Sequence, residues 1–113
     1  MNGSEKQIKW AEDIKTEVLR KVTAYRDYWQ QRYEEKGIPA DDERWEYVTD
    51  ANNALVYMEQ QHEAKWWIDN MKNHGKPEIQ APGFYTPKPG EQGAPIVDLV
   101  KALARREARR AAN

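Results

Sequence analysis

Residues 4–37 read SEKQIKWAEDIKTEVLRKVTAYRDYWQQRYEEKG, and this stretch decides the fold. Ser4-Glu5-Lys6-Gln7 fits a helix capping box, in which Ser4 Oγ accepts the backbone N–H of Gln7 and the Gln7 side chain reaches back to the N–H of Ser4. No Gly or Pro follows until Gly37 and Pro39, which supply the stop. Between these ends Ile8, Ala11, Ile14, Val18, Val22, Tyr25, Trp29 and Tyr33 recur at steps of three or four and trace one helix face. A helix of about 32 residues is about 48 Å long. That is longer than a compact domain of this size is wide, so part of it is expected to project or to be covered by a partner. Residues 1–3 read as a short leader.

Outward from this helix, Asp41 or Asp42 caps a second one, with Glu43 in the first turn, where negative charge favours the helix dipole. Its stripe runs Trp45, Val48, Ala51 or Asn52, Leu55 and Met58. Ala64, Trp67, Ile68 and Met71 form a further stripe that is out of phase with the first, which predicts a break near Gln60–Glu63 and a short third helix ending at Gly75. A single bent helix is the alternative. Residues 76–95 hold five of the six prolines and three of the six glycines, a composition that sustains neither a helix nor an interior strand. An extended strap is expected there, pinned to the body by Phe84 and Tyr85. Pro95 suits the first turn of a last helix bearing Ile96, Leu99, Val100 and Leu103 on one face, with basic final turns that fray.

The expected fold is therefore all-α. A long N-terminal helix packs antiparallel on a broken second helix (3–75), followed by a Pro/Gly-rich strap (76–95) and a basic C-terminal helix (96–113). The projecting first helix and a detached last helix together suggest a homodimer.

Composition sets further bounds. Ile, Leu, Val and Phe make up 17 of 113 residues, whereas there are five Trp and six Tyr. A fold held by aromatic rings rather than an aliphatic core is expected, because each large ring can bury about 150–250 Å². With no cysteine there is no disulfide and no thiolate chemistry, and no apolar run approaches a membrane span. The N-terminus lacks the apolar core of a signal peptide, so a cytoplasmic protein is expected. The net charge of −1 gives no global attraction to nucleic acid.

Four groups of residues are candidates for function. Residues 96–113 carry Lys101, Arg105, Arg106, Arg109 and Arg110 against Asp98 and Glu107, a net +3 that leaves −4 for residues 1–95. That cluster reads either as a nucleic-acid or acidic-partner contact or as cations meeting the negative end of a helix dipole. The seventeen residues Glu34 to Asp50 hold seven acids and two bases, so the tail could dock on its own body or on a second copy. Trp66 and Trp67 point about 100° apart on a helix; Trp67 is expected to be buried, leaving Trp66 against the first helix or open to a partner. With Tyr28, Trp29, Tyr33, Phe84 and Tyr85 it forms the partner-binding set, since Trp and Tyr are enriched in interface hot spots. Glu59-x-x-His62 is the carboxylate–imidazole unit of di-iron bundles, but it occurs once, with His74 twelve residues away. A solvated pair is the simpler reading. No phosphate loop or nucleophile motif is present, so no catalytic, cofactor or metal residues are assigned.

Gly3-Ser4-Glu5-Lys6-Gln7-Ile8-Lys9-Trp10-Ala11-Glu12-Asp13-Ile14 resembles a recurrent GSEKQ-x-x-WAE-x-I opening, and Ala64-Lys65-Trp66-Trp67-Ile68-Asp69 is similar to the A-x-[WF]-W-I-D element that often follows it. Both occur in short, mostly uncharacterised proteins of bacteria, their phages and other mobile elements. The resemblance implies a context, namely a bacterial host cell and a mobile-element source. It carries no site residues. From it comes the expected function: a non-catalytic accessory protein that binds another protein, with a CRISPR-type host-defence effector as the candidate target. The runner-up is a nucleic-acid-binding accessory factor using the basic last helix, and a small enzyme or metal protein comes third. The two segments further suggest that Trp10 and Trp67 pack against each other, which would make Trp10→Ala cost about 3–5 kcal/mol.

Overall fold

The structure, a computed structural model, describes residues 1–76 and 88–112. It is all-α: α1 spans Glu5–Glu35, α2 Glu46–Glu59, α3 Ala64–Met71 and α4 Pro89–Ala112, with single 3-10 turns at Glu43–Trp45 and Lys72–His74. No helix among the described residues is long and apolar enough to cross a membrane.

Both ends of α1 form as the sequence predicts. Ser4 Oγ accepts from the N–H of Gln7 at 3.2 Å and the Ser4 N–H donates to Gln7 Oε1 at 3.0 Å. At the other end Gly37 adopts φ +67°, the Gly37 N–H donates to the Glu34 carbonyl and the Ile38 N–H to that of Tyr33. These two bonds make a Schellman motif, which turns the chain back toward α2. The Arg44 N–H donates to Asp42 Oδ1, so Asp42 is the cap of the 3-10 turn that leads into α2.

α2 runs antiparallel to α1, with Trp45 beside Tyr33, Arg26 bonded to Asn52, and Lys15 paired with Glu59. The predicted break follows Glu59. There the residues read as a short leader hold the start of α3. The Asn2 N–H donates to the His62 carbonyl at 2.7 Å, and the Asn2 carbonyl accepts the Ala64 N–H at 2.8 Å, supplying a partner at the start of α3. Gly3 sits at φ +145°, and a side chain there would come within 3.0 Å of Ala64 Cβ. The two signature segments thus meet, but through Asn2 and Gly3 against Glu63 and Ala64. Trp67 is fully buried, whereas Trp10 is 50% exposed. Trp10 lies about 100° around the helix from Ala11, on the flank of the stripe, which is why it faces solvent.

The last helix also departs from expectation. It starts at Pro89 rather than near Pro95, with the Lys88 N–H donating to Glu91 Oε2 and the Glu91 N–H to the Lys88 carbonyl. Pro95 lies inside the helix as its seventh residue, so its missing N–H leaves the Glu91 carbonyl without the usual intrahelical donor. The basic turns remain helical to Ala112. Nor is α4 detached: Ile96, Val97 and Val100 are buried in the core. It lies against α1 at Gly93, where a Cβ would fall 2.4 Å from Tyr25 Cβ and 3.0 Å from the Lys21 carbonyl. The apolar stripe of α1 is covered by α2, α3 and α4 from Ala11 to Tyr25, and Tyr33 beyond it is buried against Trp45. Both grounds for expecting a homodimer therefore disappear.

The core itself is mostly aliphatic, which corrects the expectation of an aromatic one. Its fourteen residues are four alanines, four valines, Ile14, Ile96, Met58, Met71, Trp67 and Tyr25. Small side chains allow close helix packing, and the remaining rings collect at the two ends of the bundle. One buried cation completes it. Lys21 Nζ donates to the carbonyls of His74 (2.6 Å) and Lys76 (3.0 Å), a favourable meeting of positive charge with the end of the α3 segment.

Trp67→Ala is expected to cost about 3–5 kcal/mol by urea unfolding, whereas Trp10→Ala should stay within about 0.5 kcal/mol. Gly93→Ala should destabilise by about 1–3 kcal/mol because the added methyl meets Tyr25, although helix propensity alone favours alanine by about 1 kcal/mol. Gly37→Ala has open space around it and should lose only about 1 kcal/mol, the cost of left-handed backbone.

Candidate functional site

Tyr25, Trp29 and Tyr33 are four residues apart along the last turns of α1, and Tyr28 stands three after Tyr25, so the four rings fall within about 140° on one side of it. The Schellman turn and the 3-10 turn then bring Trp45 and Tyr47 onto the same side. Trp29 stacks against Tyr33 (centroids 5.7 Å, planes 29° apart) and against Tyr47 (5.3 Å, 22°). Tyr28 meets it edge to face at 5.2 Å and Tyr25 at 6.4 Å. The Trp45 indole N–H donates to the Ile38 carbonyl, locking the turn. The Trp29 indole N–H is buried without a hydrogen-bond acceptor, among ring faces that accept N–H groups weakly. Aromatic contacts of these kinds each contribute about 0.5–1.5 kcal/mol beyond area burial, so the rings are held rigidly.

Not every predicted ring is available at the surface. Tyr33 is 4% exposed and packs on Trp45, so it is a structural residue and not a contact for a partner. Tyr28 is 40% and Tyr47 50% exposed, with the half-buried Trp29 between them. Arg32 donates to the Tyr28 hydroxyl at 3.4 Å. Tyr47 was not among the predicted residues. It is outside the stripe read from the sequence, yet it stands four and seven residues before the buried Ala51 and Ala54, so it shares the inward face of α2 and meets Trp29 there. At the other end of the bundle Trp66 is half-buried between Tyr57 (6.1 Å) and Trp67 (5.0 Å). Phe84 and Tyr85 lie outside the described residues.

A cleft of about 450 Å³ opens beside the ring cluster, between the start of α2 and the first half of α4. Glu43, Glu46, Asp50 and Asp98 line it, with Arg44 and Lys101 on the same walls. Both of these cations are engaged. Arg44 grips Asp42 through two 2.9 Å bonds, and Lys101 Nζ lies 2.9 Å from Asp50 Oδ2. Lys101, predicted as a cation for an acidic ligand, therefore bolts α4 to α2; being half-buried beside Asp50, it finds its counter-charge within the fold. The Tyr25 hydroxyl is pushed up to about 12 by burial and by neighbouring negative charge.

The remaining four basic candidates behave differently. Arg105, Arg106, Arg109 and Arg110 are exposed and make no ion pair among the described residues. At 100° per residue they spread over about 140° on the side of α4 away from Ile96, Val97 and Val100. Glu107, the one acid among them, turns inward and accepts from the Tyr57 hydroxyl at 2.6 Å. Burial, and then this contact, raises the Tyr57 hydroxyl above the usual phenol range.

Among the described residues no group of three or more His, Asp or Glu is placed to hold a metal ion. Glu59 pairs with Lys15, His62 is exposed, and His74 is held below the usual imidazole range by burial and the nearby Lys21. Comparison with protein-family models, with curated proteins and with solved structures finds no match to the chain.

The Asp42 carboxyl is lowered to about 2 by its hydrogen bonds from the Arg44 side chain and backbone. A depressed carboxyl stabilises the fold above its unfolded value and loses that contribution as it protonates. Thermal melts of wild type and Asp42→Asn should therefore differ above pH 4 and converge as the pH falls toward 2. The variant keeps a cap oxygen for the Arg44 N–H and removes the charge together with the acceptor facing Arg44 Nη2.

Proposed function

We propose that this chain is a non-catalytic binding protein that docks on another protein through Tyr28, Trp29 and Tyr47. The observation that carries this reading is the exposure of two tyrosines on a locked ring stack, where burial of every ring would have been the ordinary outcome. Because the rings are already ordered by one another, binding loses little side-chain freedom, which raises the affinity available from a given area. Tyr, Trp and Arg, the last supplied here by Arg32, are the residue types most enriched in binding hot spots.

The partner class we infer is a host-defence effector of the CRISPR type in a bacterial cell, on the strength of the resemblance of residues 3–14 and 64–69 to proteins of phages and other mobile elements. A second reading, a nucleic-acid-binding accessory factor, is favoured by the four unpaired arginines of α4. It is weakened by the loss of Lys101 to Asp50 and by the −4 charge of residues 1–95, along which a bound polyanion would have to run.

Affinity capture from the native host tests the choice. Tyr28→Ala with Tyr47→Ala should weaken capture of a protein partner at least tenfold while the chain stays folded by circular dichroism, its melting temperature lowered by the two lost contacts with Trp29, and Trp10→Ala should leave capture intact. Equal capture by wild type and the double variant would refute the ring surface. A complex lost on nuclease treatment, with the ring variant still active, would support the second reading. Cleavage assays of purified CRISPR-type effectors, with and without the chain, check the partner class directly.

A further inference from the structure

The outward face of α4 is divided by charge. Asp98 stands on it near the start, Ala102 one turn later, and Arg105, Arg106 and Arg109 beyond, all exposed. Glu107 would break the basic half, but it is turned in toward Tyr57. Beside the acidic half lies the cleft, where Glu43, Glu46 and Asp98 are exposed and, among the described residues, make no ion pair, while Arg44 and Lys101 are engaged by Asp42 and Asp50. Tyr25 borders this cleft and is only 5% exposed, and among the described residues its hydroxyl makes no hydrogen bond. Acidic walls beside a phenol hydroxyl that can still accept suit a guanidinium, whose N–H groups can donate to all of them.

The arginines of the same copy do not fill that cleft. They begin about 10 Å further along a continuous helix and end about 18 Å beyond Asp98. A second copy reaches it readily. If two α4 helices pack antiparallel about a two-fold axis at Ala102, position 98 of each lies across from position 106 of the other, and Arg109, on the cleft side of the helix, extends toward Glu46 and Glu43. The small Ala102 lets the axes come close. Such a contact is self-complementary, as a two-fold interface requires.

We propose that the acidic cleft of one copy receives the arginine end of α4 from a second copy, with Asp98–Arg106 as the central reciprocal pair. The interaction is charge-driven, so it weakens with salt; it shares Tyr47, which stands on the cleft wall, with the ring surface, but not Tyr28.

Sedimentation of the full, nuclease-treated chain tests this. At about 0.1 mM protein and about 50 mM salt a dimer is expected, dissociating to monomer near 1 M salt. Asp98→Arg and Arg106→Asp alone should each give monomers with unchanged melting temperature, since both sites are exposed. An equimolar mixture of the two variants should restore dimers, because both cross-pairs become opposite in sign, and the double variant should restore them in a single chain. A monomer at every concentration in low salt would overturn the proposal. So would a dimer indifferent to either reversal, failure of the mixture to associate, or association that appears only when nucleic acid is added.

Discussion

Everything α4 does depends on the absence of a side chain at Gly93. The base of the Tyr25 ring occupies the space a Cβ would need, and the Lys21 carbonyl closes the other side. Helices bearing side chains at their contact cross with axes about 8–10 Å apart, and a glycine allows a closer approach. That approach carries Ile96, Val97 and Val100 into the groove between α1 and α2, turning a helical hairpin into a bundle with an enclosed core. It also fixes the rotation of α4, and rotation decides which charges face out. With Gly93 against Tyr25, Lys101 falls beside Asp50, Glu107 beside Tyr57, and the arginines point to water.

What could be read from the sequence was local or periodic. The capping box, the Gly37 stop, the α1 stripe and the break after Glu59 all follow from spacing and from residues within a few positions of one another. What could not be read depends on contacts distant in the chain. Gly93 carries the strongest example: in a linear reading it belongs to a proline-rich strap, because nothing nearby in the chain shows that Tyr25 lies across from it. Lys101 looked like part of a basic tail for the same reason, since Asp50 lies fifty-one positions away. Trp10 shows a different failure. Its absence from the α1 stripe already placed it on the flank, and the joint occurrence of the two signature segments suggested a pairing with Trp67 that the geometry does not provide.

The division between core and rings follows from size. Alanine and valine at Ala11, Val18, Val22, Ala51 and Ala54 let three helices share one axis of contact. A row of indoles there would hold them apart and leave gaps that cost stability. Rings fit better where the helices diverge, at the α1–α2 turn and at the α2–α3 break. There they close wider spaces and satisfy their polar edges, as Trp45 does on Ile38 and Trp67 on Gln61. The consequence is that the same residues which seal the bundle ends also form its most adhesive surfaces. Tyr28 and Tyr47 remain exposed because Trp29 has only two faces and two edges to offer, and Tyr33 and Tyr25 take two of them.

Charge is arranged by the same logic. Cations close to the core are neutralised where they stand: Lys21 by carbonyls and Lys101 by Asp50. An unpaired charge near a low-dielectric interior is costly, whereas one in water is not. Four arginines along the outer face of α4 are tolerated because that face meets solvent, yet a chain with 33% charged residues had acids to spare for them. Glu107 is the informative case. Placed among the arginines in sequence, it is spent on the Tyr57 hydroxyl, and the basic surface is left uninterrupted. Folding therefore separates charges that the sequence interleaves, and a surface so separated can attract a partner that the chain as a whole, at −1, would not.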